Sequence, residues 1–402
     1  MTEPTAGPEL ALGASMAATW PASREYVQAL GDPARAFATP DLQGCGVREG
    51  LFGMPASASG QNAIVFPVRI GDDDQAVRCF THPPGDVTRK RYLLLEQHLR
   101  LAPQPSFAMA VWQDRGVSVR DTWWPIVRMP WVPGDTLGNA VAARLDDPGR
   151  LRALAGSVRT LTDDLHTARM AHGDLQHGNL LVDQADRIRL VDYDAVWIPG
   201  AETLVPDERG HRSYQHPERI ATGAWGPSVD TFSALVLHVS LLALAADPSL
   251  WPDLHTGENL VLTGDDLADP DGSAAFARLA TSPDPEVRAR TELLARCARA
   301  PLARLTSLEA VLDGRVVLPD VVDPSEGAPG AAPEWLARPV DDAEAPEWSS
   351  VPADWTAPAA TTPAYDWDPS APPPRTGRAV VVLAAVLAAL VVAAVVALVL
   401  TA

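Results

Sequence analysis

The chain has 402 residues, of which 47% are hydrophobic and 21% are charged. At about 150 residues per domain this length allows two or three domains, and the composition excludes a wholly disordered chain. There are 51 acidic and 32 basic residues, so the formal net charge is −19. A charge of that sign repels a phosphate backbone, and we therefore expect no nucleic acid among the main partners.

The N-terminal residues 1–40 form an extension in which ATWPASREYVQAL is typical of a short helix that caps the next part of the fold. No basic stretch precedes an apolar run at the N-terminus, so we predict no secretory signal. The three cysteines of the chain are far apart and include no Cys-x-x-Cys pair. Their spacing supports neither a disulfide framework nor a zinc site, and it indicates a reducing compartment.

Two alternating segments then follow, QNAIVFPVRI and QAVRCF, on either side of the acidic turn GDDD. This pattern predicts a β-hairpin over residues 61–80. A helix is predicted over 88–102. A longer amphipathic helix is predicted where apolar residues recur at spacings of three and four. Those residues are Leu151, Leu154, Val158, Leu161 and Leu165.

The strongest functional signal is MAHGDLQHGNLLVDQADRIRLVDYDA, residues 170–195. Within it, LLVD and IRLV flank the polar turn QADR and predict a short hairpin. Because a loop precedes the hairpin and another follows it, Asp174 and Asn179 are expected to meet Asp192. Such a cluster can orient an attacking hydroxyl group and hold magnesium on a triphosphate.

This segment resembles the catalytic core of the protein-kinase-like phosphotransferases. HGDLQHGN corresponds to the catalytic loop of that family, in which Asn lies five positions after the Asp. Asp192, Tyr193 and Asp194 correspond to the Asp-Phe-Gly element. The resemblance implies that Asp174 is the catalytic base and that Asn179 and Asp192 are ligands of Mg²⁺.

GHRSYQHPER, residues 210–219, resembles the end of a protein-kinase activation segment. Four of its residues match the peptide-docking floor of that family: Gly210, Tyr214, Pro217 and Glu218. Small-molecule kinases generally lack this segment, although they share a glycine at the position of Gly173. The segment therefore favours a protein substrate.

The apolar run SVDTFSALVLHVSLLALAA resembles the buried central helix of the kinase C-lobe. By this resemblance, Asp230 tethers the catalytic loop. Asp230 and His238 favour a core helix over a membrane span in this run. Further along, Arg304 resembles the arginine that pairs with Glu218.

The resemblance also assigns the nucleotide clamp. AVRCF takes the place of the Val-Ala-Ile-Lys strand, so Arg78 stands for the phosphate-pairing lysine. Gly60 is what remains of the glycine-rich loop. Glu96 on the predicted helix is the expected partner of Arg78. The alternative is that the Glu96 carboxylate faces water. VRMPWVPGDTL resembles the hinge, which implies nucleotide contacts from three residues, listed in chain order: Met129, Trp131 and Val132.

Two departures bear on catalysis. Arg78 keeps the charge of the family lysine but is longer and planar. Gln176 replaces a lysine usually found two positions after the catalytic Asp, and it cannot neutralise charge on the transferred phosphoryl group. These departures leave the balance between an active kinase and a pseudokinase open.

We therefore predict an α+β, two-lobed, protein-kinase-like fold that binds Mg²⁺ and ATP. The N-lobe, with an antiparallel sheet and a helix, spans 41–132, and the helical C-lobe spans 133–318. The favoured function is transfer of the γ-phosphoryl group to serine or threonine of a protein substrate. The alternatives are a catalytically weak pseudokinase, acting as a nucleotide-responsive membrane scaffold, and a small-molecule kinase.

Residues 319–378 are rich in proline and acidic side chains, so we predict a disordered linker. Four tryptophans in it are either docking points for a partner or compositional drift: Trp335, Trp348, Trp355 and Trp367. Residues 379–401 contain no charge or proline, and a helix of their length crosses a hydrocarbon core of about 30 Å. Arg375 and Arg378 precede this span, which predicts a single-pass C-terminal anchor in the cell membrane with the kinase-like domain in the cytoplasm.

Overall fold

The computed structural model describes residues 19–50, 54–60 and 62–318. They all belong to one compact unit, Met1–Ala328. The predicted linker, its four tryptophans and the predicted membrane span lie outside the described residues. No helix within the described ranges is both long and apolar enough to cross a bilayer.

Most of the strands come before residue 131. In the described ranges they are β1 (Gly46–Val47), β2 (Ala58–Ser59), β3 (Ala63–Ile70), β4 (Asp73–Phe80), β5 (Val111–Val119), β6 (Thr122–Pro130), β7 (Asp135–Thr136), β8 (Leu180–Val182) and β9 (Ile188–Leu190). The large sheet has the order β1-β3-β4-β6-β5, and β2 also pairs with β3. All its pairings are antiparallel. β7, β8 and β9 form a second, small sheet.

Both predicted hairpins are confirmed. β3 and β4 pair from Ala63 opposite Phe80 to Ile70 opposite Asp73, so the turn is Gly71–Asp72 and the other two aspartates of GDDD already belong to β4. Gly71 has a φ of +60°, a conformation that suits glycine in a tight turn. β8 and β9 form the second hairpin, with Leu181 opposite Arg189.

Most of the helices come after the large sheet. In the described ranges they are α1 (Ser23–Ala29), α2 (Pro33–Ala36), α3 (Pro40–Gln43), α4 (Gly85–Leu101), α5 (Leu137–Ala142), α6 (Pro148–Thr167), α7 (Pro217–Thr222), α8 (Asp230–Ala246), α9 (Leu250–Leu254), α10 (Gly264–Ala268), α11 (Ala274–Ala280), α12 (Pro285–Arg299) and α13 (Leu308–Leu312), with a 3₁₀ turn at Leu302–Arg304. The predicted helix over 88–102 is α4, which begins three residues earlier.

Both faces of the large sheet are buried, because successive side chains along each strand point to opposite faces and each face packs against a core. On β4, Ala76 and Phe80 face the core shared with the helical part, whereas Val77 and Cys79 face the N-terminal helices. Tyr26 of α1 is fully buried, and its hydroxyl group donates a hydrogen bond of 2.7 Å to the Phe80 carbonyl oxygen. The predicted capping helix in the N-terminal extension is therefore confirmed.

α8 is the centre of the helical part. Every residue from Asp230 to Ala245 is buried, as expected of a helix that is apolar on all sides. His238 Nδ1 donates to the Ala155 carbonyl oxygen of α6 at 3.1 Å, so the one imidazole in this helix has a local partner. α8 is a core helix, as its sequence predicts.

Candidate functional site

A cleft of about 490 Å³ opens between the large sheet and the helical part. This volume lies in the range of small-molecule sites. Six residues that the sequence assigns to nucleotide, metal or catalysis line it together: Gly60, Arg78, Asp174, Gln176, Asn179 and Asp192. Sequence reasoning placed Asp194 beside the expected metal position, in the Asp-Phe-Gly element, but it did not assign Glu208, Arg209 or His211 to the site; all four line the same cleft. The cleft is acidic, with four carboxylates and two guanidinium groups.

The loop that contains Asp174 is held by buried hydrogen bonds. The Asp230 carboxylate accepts the backbone N–H groups of His172 and of Gly173, the latter at 2.8 Å. The His172 ring is fully buried; Nε2 donates to the Val191 carbonyl oxygen at 2.9 Å, and Nδ1 accepts from the Asp174 N–H at 3.3 Å. Since both ring nitrogens are hydrogen-bonded to backbone groups, His172 fixes the direction of the loop.

The packing around Gly173 explains why this residue departs from the pattern of the resembled family. Its φ is +80°, and an added Cβ would lie 1.9 Å from the Ala195 carbonyl oxygen. A side chain is therefore excluded at the position where the His-Arg-Asp pattern of the resembled catalytic loop has an arginine. A buried guanidinium comes instead from α7, where Arg219 donates to the Gly173 carbonyl oxygen at 2.7 Å. Burial lowers the pKa of Arg219 to about 10, and the nearby carboxylates of Asp230 and Asp174 oppose this shift.

The Asp174 carboxylate has one partner on each oxygen. Oδ1 accepts the His211 N–H at 2.7 Å, and Oδ2 accepts Asn179 Nδ2 at 3.0 Å. Asn179 Nδ2 also donates to the Asp174 carbonyl oxygen at 3.0 Å. The side-chain oxygen of Asn179 makes no hydrogen bond within the described part of the chain. These contacts fix the direction of the Asp174 carboxylate and leave the Asn179 oxygen available to a cation.

Arg78 is paired with a residue other than the predicted one. Its Nη1 and Nη2 atoms donate to Asp194 Oδ1 and Oδ2 at 2.5 and 2.7 Å, and Nη1 also donates to the Tyr92 hydroxyl oxygen at 2.8 Å. Glu96 instead binds Arg100 one helical turn away at 2.5 Å. The predicted pairing of Glu96 with Arg78 is therefore wrong. α4 presents Tyr92 to Arg78, and the carboxylate comes from the segment after β9.

The charged side chains of this cluster shift each other's pKa values. Burial acts to raise the pKa of Asp194, but the Arg78 guanidinium and the Tyr92 hydroxyl group outweigh it and hold that pKa below its usual value. Asp192 Oδ1 lies 3.2 Å from Arg78 Nη2. Desolvation raises the pKa of Asp192; Arg78 opposes this shift, and the neighbouring carboxylates of Asp194 and Asp174 add to it. Asp192 is the less neutralised of the two carboxylates.

Residues 208–211, where the Gly-His-Arg-Ser-Tyr pattern begins, line the cleft opposite Asn62. Asn62, which directly precedes β3, donates from its side-chain amide to the Glu208 carboxylate. Burial raises the pKa of Glu208, with further contributions from Asp194 and Asp192. Gln176 turns back on its own loop, since its Oε1 accepts the Gly178 N–H at 3.1 Å.

The three predicted hinge residues lie outside the lining of this cleft. Met129 on β6 is buried opposite Ala76 and shares the inner face of the sheet with Arg78. Trp131 donates its backbone N–H to the Asp74 carbonyl oxygen at 2.9 Å and is half-buried, as is Val132. Nucleotide contacts from these residues remain a prediction.

The expected ion pair between Arg304 and Glu218 is wrong. Glu218 Oε2 accepts the backbone N–H of Leu302 at 2.6 Å. Arg304 is exposed at the end of the 3₁₀ turn, because that turn buries Leu302 and Leu305 instead. Glu218 thus joins α7 to the 3₁₀ turn through a backbone group.

The described residues supply only part of a magnesium coordination shell, so water and nucleotide phosphates would have to supply the rest. No three His, Cys, Asp or Glu residues in the described ranges are arranged to hold a metal ion. Asp192 and Asn179 provide one carboxylate and one amide oxygen, and the Asp192 side chain is 46% exposed. Mg²⁺ typically binds through one or two protein carboxylates together with water and substrate phosphates. The residues present therefore fit a magnesium ion that arrives with a nucleotide.

No family model matches the chain. Over 110 residues the chain is 29% identical to the mouse protein named hormonally up-regulated neu tumor-associated kinase, and 28% identical to the human protein of the same name. The matched segment is 26% of this chain, and it spans only 15% of the length of each relative. The similarity to kinases is distant and partial, and it agrees with the mixed α+β architecture.

Proposed function

We propose that the chain is a phosphotransferase that binds Mg²⁺ and ATP and transfers the γ-phosphoryl group to serine or threonine of a protein substrate. The observation that carries this proposal is the meeting of Asp174, Asn179 and Asp192 with Arg78 in one cleft. The partial similarity to a kinase supports the same reaction class. The activation-segment pattern of residues 210–218 favours a protein over a small molecule as acceptor.

Each residue has a role in this proposal. Mg²⁺, when bound, neutralises phosphate oxygens and so promotes transfer. Asp192 and the Asn179 amide oxygen would hold it. Asp174 orients the attacking hydroxyl group and accepts its proton. Its two hydrogen bonds leave a lone pair on each oxygen for that contact. The His211 N–H fixes the carboxylate from the activation-segment side.

One observation favours the pseudokinase as a second candidate. The terminal nitrogens of Arg78 face Asp194, Tyr92 and Asp192, so the guanidinium is already occupied by protein acceptors. Without a free cation at Arg78 and with Gln176 in place of a lysine, less charge is available to stabilise phosphoryl transfer. A nucleotide-responsive scaffold would need the binding of Mg²⁺ and ATP but not the chemistry.

The experiment compares binding with transfer in the full chain in detergent. Mg²⁺ with ATP at a hundredfold excess over its dissociation constant should stabilise the fold by about 2.7 kcal/mol. We expect Asp192→Ala to abolish this stabilisation. Asp174→Asn should keep it while losing about a hundredfold or more in transfer of labelled phosphate to itself or to generic protein substrates. Asp163→Asn, at an exposed position of α6, is the matched control.

If the wild type binds ATP with Mg²⁺ but transfers no labelled phosphate, the pseudokinase is the remaining candidate. Absence of binding in the wild type would remove both candidates.

We also propose that the chain is anchored in the cell membrane by residues 379–401, with the phosphotransferase on the cytoplasmic side. The uncharged run and the preceding Arg375 and Arg378 support this orientation. The tryptophans of the linker 319–378 are proposed docking points for a partner. The strong negative charge of the chain argues against nucleic acid.

A further inference from the structure

The Arg78 guanidinium is shared unequally between two carboxylates. Asp194 receives two hydrogen bonds, at 2.5 and 2.7 Å, in the bidentate arrangement that is the strongest for arginine. Asp192 lies 3.2 Å from Nη2, with no well-aligned hydrogen bond. The side chain of Asp194 is 24% exposed, whereas that of Asp192 is 46% exposed. Asp194 therefore takes most of the interaction.

The position of Asp194 is itself fixed. The Tyr92 hydroxyl group donates to Asp194 Oδ1 at 2.8 Å while accepting from Arg78 Nη1. Arg91, one residue earlier on α4 and 1% exposed, donates to the Asp194 carbonyl oxygen. α4 thus holds Asp194 through a hydroxyl group and a guanidinium, although it contributes no carboxylate to Arg78.

We propose that Asp194 is a positioning residue that draws the Arg78 guanidinium away from Asp192 and so keeps the Asp192 carboxylate open to a divalent cation bound to nucleotide phosphates. This inference rests on the proposed function. It assigns to the segment after β9 the task that the sequence assigned to Glu96 on α4.

The burial of Arg78 determines where its guanidinium would go if the Asp194 carboxylate were removed. Its side chain is 7% exposed, and a buried guanidinium needs an acceptor because an unpaired buried charge is strongly unfavourable. Without the Asp194 carboxylate, the nearest remaining carboxylate is that of Asp192. The guanidinium would then move onto Asp192 and occupy the oxygens that a cation needs.

The variant Asp194→Asn separates this role from a general loss of folding. In the full chain, Mg²⁺ is titrated at fixed ATP, and nucleotide binding is followed by calorimetry. We expect the Mg²⁺ concentration for half-maximal binding to rise about tenfold or more, the range found for residues that support metal ligands. Binding of ATP without Mg²⁺ should not weaken, because the substitution removes a negative charge from an acidic cleft. A misfolded variant would lose both.

Two further variants complete the test. Glu96→Gln removes a carboxylate from α4 that does not contact Arg78, so its Mg²⁺ requirement should equal that of the wild type. Asp194→Glu keeps the carboxylate, so its Mg²⁺ concentration for half-maximal binding should lie closer to that of the wild type than to the rise of about tenfold expected for Asp194→Asn. It carries the test if Asp194→Asn fails to fold: a rise of less than about tenfold would support the inference, and a rise of about tenfold or more would overturn it.

An unchanged Mg²⁺ requirement in a folded Asp194→Asn variant would overturn the inference alone. Failure of the wild type to bind ATP with Mg²⁺ would overturn the proposed function, and the inference with it.

Discussion

The carbonyl oxygen of Ala195 lies 1.9 Å from the point that a Cβ atom on Gly173 would occupy. The segment after the Asp-Tyr-Asp element therefore packs directly against the backbone of the catalytic loop. This contact leaves room for a hydrogen atom and for nothing larger. The glycine follows from that packing and does not by itself indicate a small-molecule substrate.

We expect Gly173→Ala to lower the free energy of unfolding by about 2 kcal/mol or more, since an L-residue at a φ of +80° is strained and the Cβ also collides with a backbone atom. Chemical denaturation measures the change. Gly156→Ala in α6 is the control: apart from its chain neighbours and the backbone of its own helix, nothing lies within 4 Å of its added Cβ, so it should stabilise the helix by about 0.5–1 kcal/mol. Equal effects of the two substitutions would contradict the packing described.

Asp230→Ala should destabilise the chain by about 2–4 kcal/mol, because it leaves the buried N–H groups of His172 and Gly173 without an acceptor. Thermal and urea unfolding provide the measurement. Asp163→Ala, at an exposed position of α6, should change stability by less than about 0.5 kcal/mol. A loss no greater than that of the control would show that Asp230 does not hold the catalytic loop.

The stability of the fold should decrease as the pH falls below about 6.5, the ordinary pKa of histidine. Burial lowers the pKa of His216, whose Nε2 donates to the Cys297 carbonyl oxygen at 3.0 Å and whose Nδ1 accepts the Glu218 N–H at 3.1 Å. Its folded pKa lies below its unfolded pKa, so the unfolded chain binds the proton first, and stability is complete above about 6.5 and lost below it.

Urea unfolding between pH 7.5 and 5, values chosen to lie about one unit or more on either side of that pKa, measures the effect. His216→Gln should flatten the decline, whereas His82→Gln, at an exposed position, should leave it unchanged. A decline that is the same in both variants would rule out His216 as a source.

The full chain should sediment with membranes, and a chain ending at residue 318 should not. In intact cells, external protease should leave the kinase-like part whole, because the proposed orientation, which rests on Arg375 and Arg378, puts everything before residue 379 on the cytoplasmic side. Immunoblotting against residues 19–318 reads the result. Digestion of that part from outside would reverse the proposed orientation.

The sequence by itself was sufficient for the local elements. The leucine spacing over 151–165 predicts α6, the QADR turn predicts β8 and β9, and the spacing of Asp174, Asn179 and Asp192 places these residues in one cleft. Hydrogen bonds within a helix or hairpin join residues close in sequence, so periodicity and turn residues carry the information needed. The tether from Asp230 to the catalytic loop was also predicted, through the family resemblance.

Only the tertiary structure decided the partners of the charged side chains. Glu96 and Asp194 are both carboxylates that chain order allows near Arg78, and the sequence favoured Glu96. Asp194 is 116 residues from Arg78 and reaches it because α4 presents Tyr92 at the contact, while Glu96 binds Arg100 one turn along the helix. Long, flexible charged side chains can reach several partners, so small rotations of a helix and the direction of one loop select the ion pair that forms.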